Sequence, residues 1–166
     1  MRCHRITKSR LEHRSGHRTD CPHGSHRSGW VFVEVELSLT AYEIHRRQSG
    51  EVRASVPLPF RGRALLDTGS ELSIISDTAA EALSLDALRT VPVTTSQGVG
   101  EGPVYTARVT LGWNQHPPAR ALETSVVGQP LRGMHMLIGR DILRHGQLTW
   151  DGPAAAATLR FPTADG

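Results

Sequence analysis

The run Ala64-Leu65-Leu66 leads directly into Asp67-Thr68-Gly69-Ser70, which places a carboxylate at the end of an apolar, strand-like segment. A carboxyl group so placed is held rigidly and partly desolvated, and neighbouring hydrogen bonds or charges then decide its protonation. Thr68 and Ser70 can supply hydrogen bonds that fix it, and Gly69 allows a tight turn with close approach of another backbone. The same four residues are ordinary material for a strand followed by an Asx-turn, so the tetrapeptide alone does not separate chemistry from a simple bend. Further along the chain, Met136-Leu137-Ile138-Gly139-Arg140-Asp141-Ile142-Leu143 again runs an apolar strand into glycine and charge. Between the two lies Ser96-Gln97-Gly98-Val99-Gly100-Glu101-Gly102, whose alternating glycines suit a mobile hairpin tip.

Taken together, in this order and spacing, and with Leu72-Ser73-Ile74-Ile75 as a flanking strand, these elements resemble the retropepsin family of aspartic proteases. The resemblance covers about residues 30–163. It implies an all-β, closed acid-protease barrel with one or two short helices, and Asp67 as the catalytic residue on a loop supported by Thr68, Gly69 and Ser70. It also implies a substrate-covering flap at Gly98, Val99, Gly100 and Gly102. In the family the arginine of the Gly-Arg-Asp element ties its helix to the catalytic loop, and here Glu71 is the expected carboxylate partner of Arg140. Asp141 belongs to the helix motif, where it can cap or bridge backbone, and is not read as a second catalytic acid.

No second Asp-Thr-Gly occurs in the chain. Aspartic peptidase chemistry uses two carboxylates that share one proton, because adjacent anions cannot both stay ionised. A single Asp67 per chain therefore implies a homodimer with both copies at the axis. The reaction implied is hydrolysis of a peptide bond by an activated water, with no metal and no organic cofactor. A polypeptide substrate would lie as an extended strand between flap and floor. Candidate pocket walls are Leu66, Ile74, Val99 and Ile138. One alternative is a catalytically silent module that keeps the fold for dimerisation or peptide binding, although a pure scaffold has no need of the carboxylate. Another is the phosphate-binding hairpin of actin-like kinases, which also contains Asp-x-Gly-Ser but needs two large domains that 166 residues cannot hold.

The elements that must position these groups read as short strands separated by turns. Val33, Val35, Leu37 and Leu39 alternate with polar residues through Thr40. Further strand candidates are 52–58, 62–66, 72–75, 90–95, 105–111, 119–127, 134–138, 148–150 and 156–161, with Gly, Pro and Asn between them. The segment from Gln147 onward reads as a closing hairpin, and terminal strands in this family often help to build the dimer. Trp150 and Phe161 are expected in the core or at an interface. Two helices are expected, one capped by Ser76 or Asp77 and running to Leu83, the other at 140–145 and ended by Gly146.

Composition limits the alternatives. The chain is long enough for one domain with a real core, 38% of its residues are hydrophobic, and no apolar run approaches a membrane span. The net charge of +3 is uneven: residues 1–29 hold seven basic groups against Glu12 and Asp20, a formal +5, and the rest carries 12 basic and 14 acidic groups, a formal −2. The body thus gives no electrostatic case for nucleic acid. The first 29 residues, with five histidines, many arginines and almost no aliphatics, are expected to be a disordered tail, and residues 30–163 to be the protease domain. Cys3-His4 and Cys21-x-His23 lack the paired spacing of a structural zinc site. Both cysteines lie in the tail, so no disulfide is expected in the domain. The charged N-terminus is not followed by an apolar stretch, which points away from a secretory signal and toward the cytoplasm. The histidines outside the tail, His45, His116, His135 and His145, are expected at the surface.

Overall fold

Alternation of apolar and polar side chains builds the first wall of a barrel. The computed structural model describes residues 31–95, 98–114, 120–152 and 156–162. Strand β1 (Phe32–Ser38) buries Val33, Val35 and Leu37 and turns Glu34 and Glu36 outward, as period two requires. It pairs antiparallel with β2 (Phe60–Leu66) on one side and with the far half of β5 (Gly98–Leu111) on the other. From β2 the sheet continues through β7 (Met136–Ile138), β3 (Ile74–Ser76) and β6 (Arg120–Gln129) to β5, and the β1–β5 pairing closes six strands into a barrel. The β2–β7 and β3–β6 pairs are parallel, the others antiparallel. Strand β4 (Arg89–Thr95) lies outside the ring and, among the described residues, pairs only with β5. Its Pro92, which has no N–H to give, is tolerated on such an edge.

The core fills the barrel: Val35, Leu37, Val109, Leu111, Met136 and Ile138 are fully enclosed, with Ile75 and Leu83. Helix α2 (Asp77–Ala82) starts where Ser76 Oγ accepts from Ala79 N at 3.2 Å, and it buries Ala79 and Ala80. Helix α3 (Arg140–Leu143) buries Ile142 and Leu143. Strands β8 (Gln147–Asp151) and β9 (Ala156–Arg160) form a separate two-stranded sheet that pairs with no barrel strand among the described residues.

The all-β closed barrel expected from the sequence is present, and so are the two expected helices. A third, α1 (Ala41–Gln48), was not expected. Thr40 ends the β1 region and caps this helix, its hydroxyl accepting from Glu43 N at 3.2 Å. Segment 52–58, expected as a strand, is bends and coil. Pro57 has no N–H for a ladder, and the Ser55 carbonyl is taken by Arg47 Nη1 at 3.0 Å. The strand expected at 72–75 is shifted to 74–76 because Leu72 and Ser73 belong to the loop that supports Asp67. The tail, residues 1–29, together with Ser96, Gln97 and His116, lies outside the described residues.

Candidate active site

Asp67 follows β2 directly and remains attached to the sheet, its N–H donating to the Ile138 carbonyl at 3.0 Å. Its Oδ1 accepts from Gly69 N at 2.9 Å. The hydroxyls expected to fix it do not do so: Ser70 Oγ donates instead to Leu72 O at 2.9 Å, and the exposed Thr68 contributes its carbonyl. A backbone amide in the turn thus takes the place of the side-chain donors. The loop closes with Ser70 N donating to Asp67 O at 3.3 Å.

Helix α3 holds this loop from below. Arg140 N donates to Ser70 O at 2.9 Å and Asp141 N to Glu71 O at 3.1 Å. Among the described residues no ion pair joins Glu71 and Arg140; the guanidinium donates to Thr68 O at 3.3 Å. Both residues are exposed, and an exposed ion pair gains little over water, so main-chain bonds make the tie instead.

The inner layer of the support is a buried hydroxyl and a carboxylate. Asp141 Oδ1 accepts from Ser73 Oγ at 2.7 Å and from Ile142 N at 2.9 Å, and its Oδ2 accepts from Ser73 N at 3.0 Å. Ser73 Oγ, fully buried, accepts in turn from Gly139 N at 3.0 Å. Asp141 therefore bridges backbone, as its place in the motif suggested. Gly139 permits the approach, since a Cβ there would lie 2.6 Å from the Leu72 carbonyl carbon and oxygen.

A cleft of about 680 Å³ opens beside Asp67. Its floor is Leu65 and Leu66 from β2 and Thr68 from the Asp67 loop, with Leu137 from β7. Leu131 and Met134 line it from the loop before β7, Val31 from the chain entering β1, and Leu148, Trp150 and Ala157 from the β8–β9 hairpin. Of the expected pocket walls, only Leu66 lines the cleft. Ile138 is fully buried because its side chain points to the opposite face of β7 from Leu137, and Ile74, which pairs with Leu137 across β3 and β7, is not among the residues that line the cleft. Val99 is 77% exposed on the hairpin. The missed walls come from segments far apart in sequence whose apolar residues read equally well as core.

The expected flap is the β4–β5 hairpin, paired from Arg89↔Val104 to Thr95↔Gly98. Gly98, Val99 and Gly100 are exposed, Gly102 is buried at its base, and none of the four lines the cleft. Of the histidines expected at the surface, His45 and His145 are exposed, but His135 is half-buried. Its Nδ1 accepts from Arg63 N at 3.2 Å and its ring meets Phe60 edge-on, so it braces the start of the β2–β7 pairing that carries Asp67.

A closed barrel that carries an Asp-Thr-Gly loop on one strand and holds it from below with a Gly-Arg-Asp helix defines the retropepsin-like class of aspartic proteases. Residues 58–142, half of the chain, match the aspartyl protease family, and the chain belongs to it. No curated protein matches the chain. Among solved structures, it is similar to the simian foamy virus (mac) protease, with 15% identity over 69% of this chain and 92% of that one and a TM-score of 0.43. It is also similar to the retroviral protease-like domain of Ddi1 from Leishmania major, with 14% identity over 81% and 96% of the two chains and a TM-score of 0.41.

Proposed function

We propose that the protein is an aspartic endopeptidase that works as a homodimer, each copy contributing Asp67. The observation that carries this reading is the cleft itself: among the described residues lining it, Asp67 is the single ionisable one, in a wall otherwise apolar except for Thr68. Proton transfer in both directions needs a second carboxylate, and a second copy of the same loop supplies it. The β8–β9 hairpin supports the assembly. It lies beside the cleft, pairs with no barrel strand among the described residues, and leaves Trp150 49% exposed. Leu159 anchors the hairpin in the barrel core, and its unpaired strand edges could accept strands from a partner copy.

In the dimer, one Asp67 is ionised and takes a proton from a water placed between the carboxylates. The other is protonated and donates to the scissile carbonyl oxygen as the water oxygen bonds to the carbon. The tetrahedral diol then collapses: the C–N bond breaks, the amine leaves with a proton from the carboxyl group that received it from water, and a diol hydroxyl returns its proton to the other Asp67 as the carbonyl re-forms. The Gly69 N–H fixes one carboxylate oxygen throughout. The apolar walls select an extended polypeptide with large apolar side chains next to the scissile bond.

Asp67→Asn keeps the shape of the side chain and removes the titrating group. Wild type should cleave an unfolded polypeptide at mildly acid pH, and the variant should be slower by on the order of a thousandfold. Equal cleavage by both would overturn the assignment.

A further inference from the structure

The flap touches the barrel through a narrow contact. Strand β5 pairs with β6 from Leu111↔Arg120 only as far as Val104↔Val127. Beyond that point, among the described residues, β5 has β4 alone as a strand partner. In an antiparallel ladder, alternate residues turn their N–H and C=O to opposite sides, so every second carbonyl of 98–103 faces the side that β6 has left. One of these receives a substitute donor: Gln129 Nε2 donates to Glu101 O at 3.2 Å. The Gln129 main chain is itself fixed, because it pairs with Ser76 of β3.

The neighbouring residue shows how close the contact is. A Cβ on Gly102 would lie 2.5 Å from Gln129 Nε2 and 2.8 Å from both the Gly128 carbonyl oxygen and Val127 Cγ1. On the tip side the surroundings are open: a Cβ on Gly100 would meet nothing within 4 Å, and Val99 is 77% exposed. The contact at Glu101 and Gly102 is thus the place where the hairpin leaves the barrel. From Gln129 the chain runs through Pro130 to Leu131, which lines the cleft beside Asp67. The residue that holds the flap is therefore two positions from a wall that a bound peptide would press.

We infer that Gln129 is a positioning residue for substrate: its side-chain amide holds the flap hairpin at Glu101, the point about which the tip closes over a bound peptide. The inference rests on the protease reading and extends it by assigning flap control to a side chain outside the catalytic motifs. Loss of the amide donor leaves the chemistry at Asp67 untouched and loosens the flap, so the effect falls on KM rather than kcat.

The test uses the full chain, with a quenched fluorescent peptide bearing apolar residues on both sides of its scissile bond. Gln129→Glu keeps the side-chain shape but sets a carboxylate against the Glu101 carbonyl; Gln129→Lys restores a donor. A single hydrogen bond of this kind predicts that KM rises roughly fivefold in Gln129→Glu and returns toward wild type in Gln129→Lys, with kcat and Tm unchanged. A nitroxide on Val99→Cys, with Cys3 and Cys21 replaced by serine, should report a more mobile tip in Gln129→Glu than in the otherwise identical protein. Unchanged KM and unchanged tip mobility would overturn the inference, as would a fall in kcat and Tm together without a change at the tip. A protein that cleaves no peptide but shows the mobility change refutes the protease reading and leaves the flap hold established.

Discussion

Asp141 is the residue on which the Asp67 loop hangs. Its carboxylate accepts from Ser73 N, Ser73 Oγ and Ile142 N, and the Ser73 hydroxyl completes the chain by accepting from Gly139 N. Asp141→Ala leaves a buried N–H and hydroxyl without acceptors, which should cost about 2 to 3 kcal/mol in chemical denaturation. Asp141→Asn keeps an acceptor toward Ser73 and should cost about 1 kcal/mol. Both motifs were legible at this scale, because an apolar strand running into Asp-Thr-Gly and another running into Gly-Arg-Asp are local patterns. Their partners were not. Whether Arg140 reaches Glu71 or Thr68 O, and whether Asp67 is held by a hydroxyl or by Gly69 N, depends on loop geometry that residue types do not specify.

At the scale of elements, the strands were legible wherever one face is buried, as in Val33, Val35 and Leu37 of β1. The insertion between β1 and β2 was not, although Thr40 followed three residues later by Glu43 is a helix-start pattern. Alternation carried the strand reading past its end, and the helix is fixed from elsewhere in the chain. Arg47, 8% exposed, donates to Ser55 O at 3.0 Å and to Ser84 O at 2.6 Å, tying α1 to its own return loop and to the turn after α2. Ser84 is the one described non-glycine residue with positive φ, at 48°. Arg47→Met should lower stability by about 2 kcal/mol in the same assay and leave the order of the barrel strands unchanged. A second element-level prediction concerns Tyr105, whose phenol is pushed above its ordinary value of 10.0 by burial first and by the carboxylates of Asp77 and Glu81 on α2 next. The folded state thus holds this proton more tightly than the unfolded chain. The stability it contributes is complete below the unfolded value and is lost as pH rises above it. Tyr105→Phe should therefore flatten the alkaline fall of Tm, and an unchanged alkaline limb would contradict the assignment.

For the molecule as a whole, the closed barrel followed from many short alternating segments and two motifs in register, whereas the cleft did not. Val31, Leu131, Met134, Leu148, Trp150 and Ala157 meet only because the chain entering β1, the loop before β7 and the final hairpin converge on the end of β2. That convergence leaves one carboxylate in an apolar cleft and an exposed tryptophan on a hairpin outside the barrel, which is the physical case for a second copy. Mixing tests it most directly. Wild type and Asp67→Asn are combined in varying ratio at constant total protein, allowed to exchange subunits, and assayed on an unfolded polypeptide. If both copies of Asp67 are needed, activity follows the square of the wild-type fraction, falling to about a quarter in an equal mixture. Activity in direct proportion to the wild-type fraction would contradict a site shared between two copies.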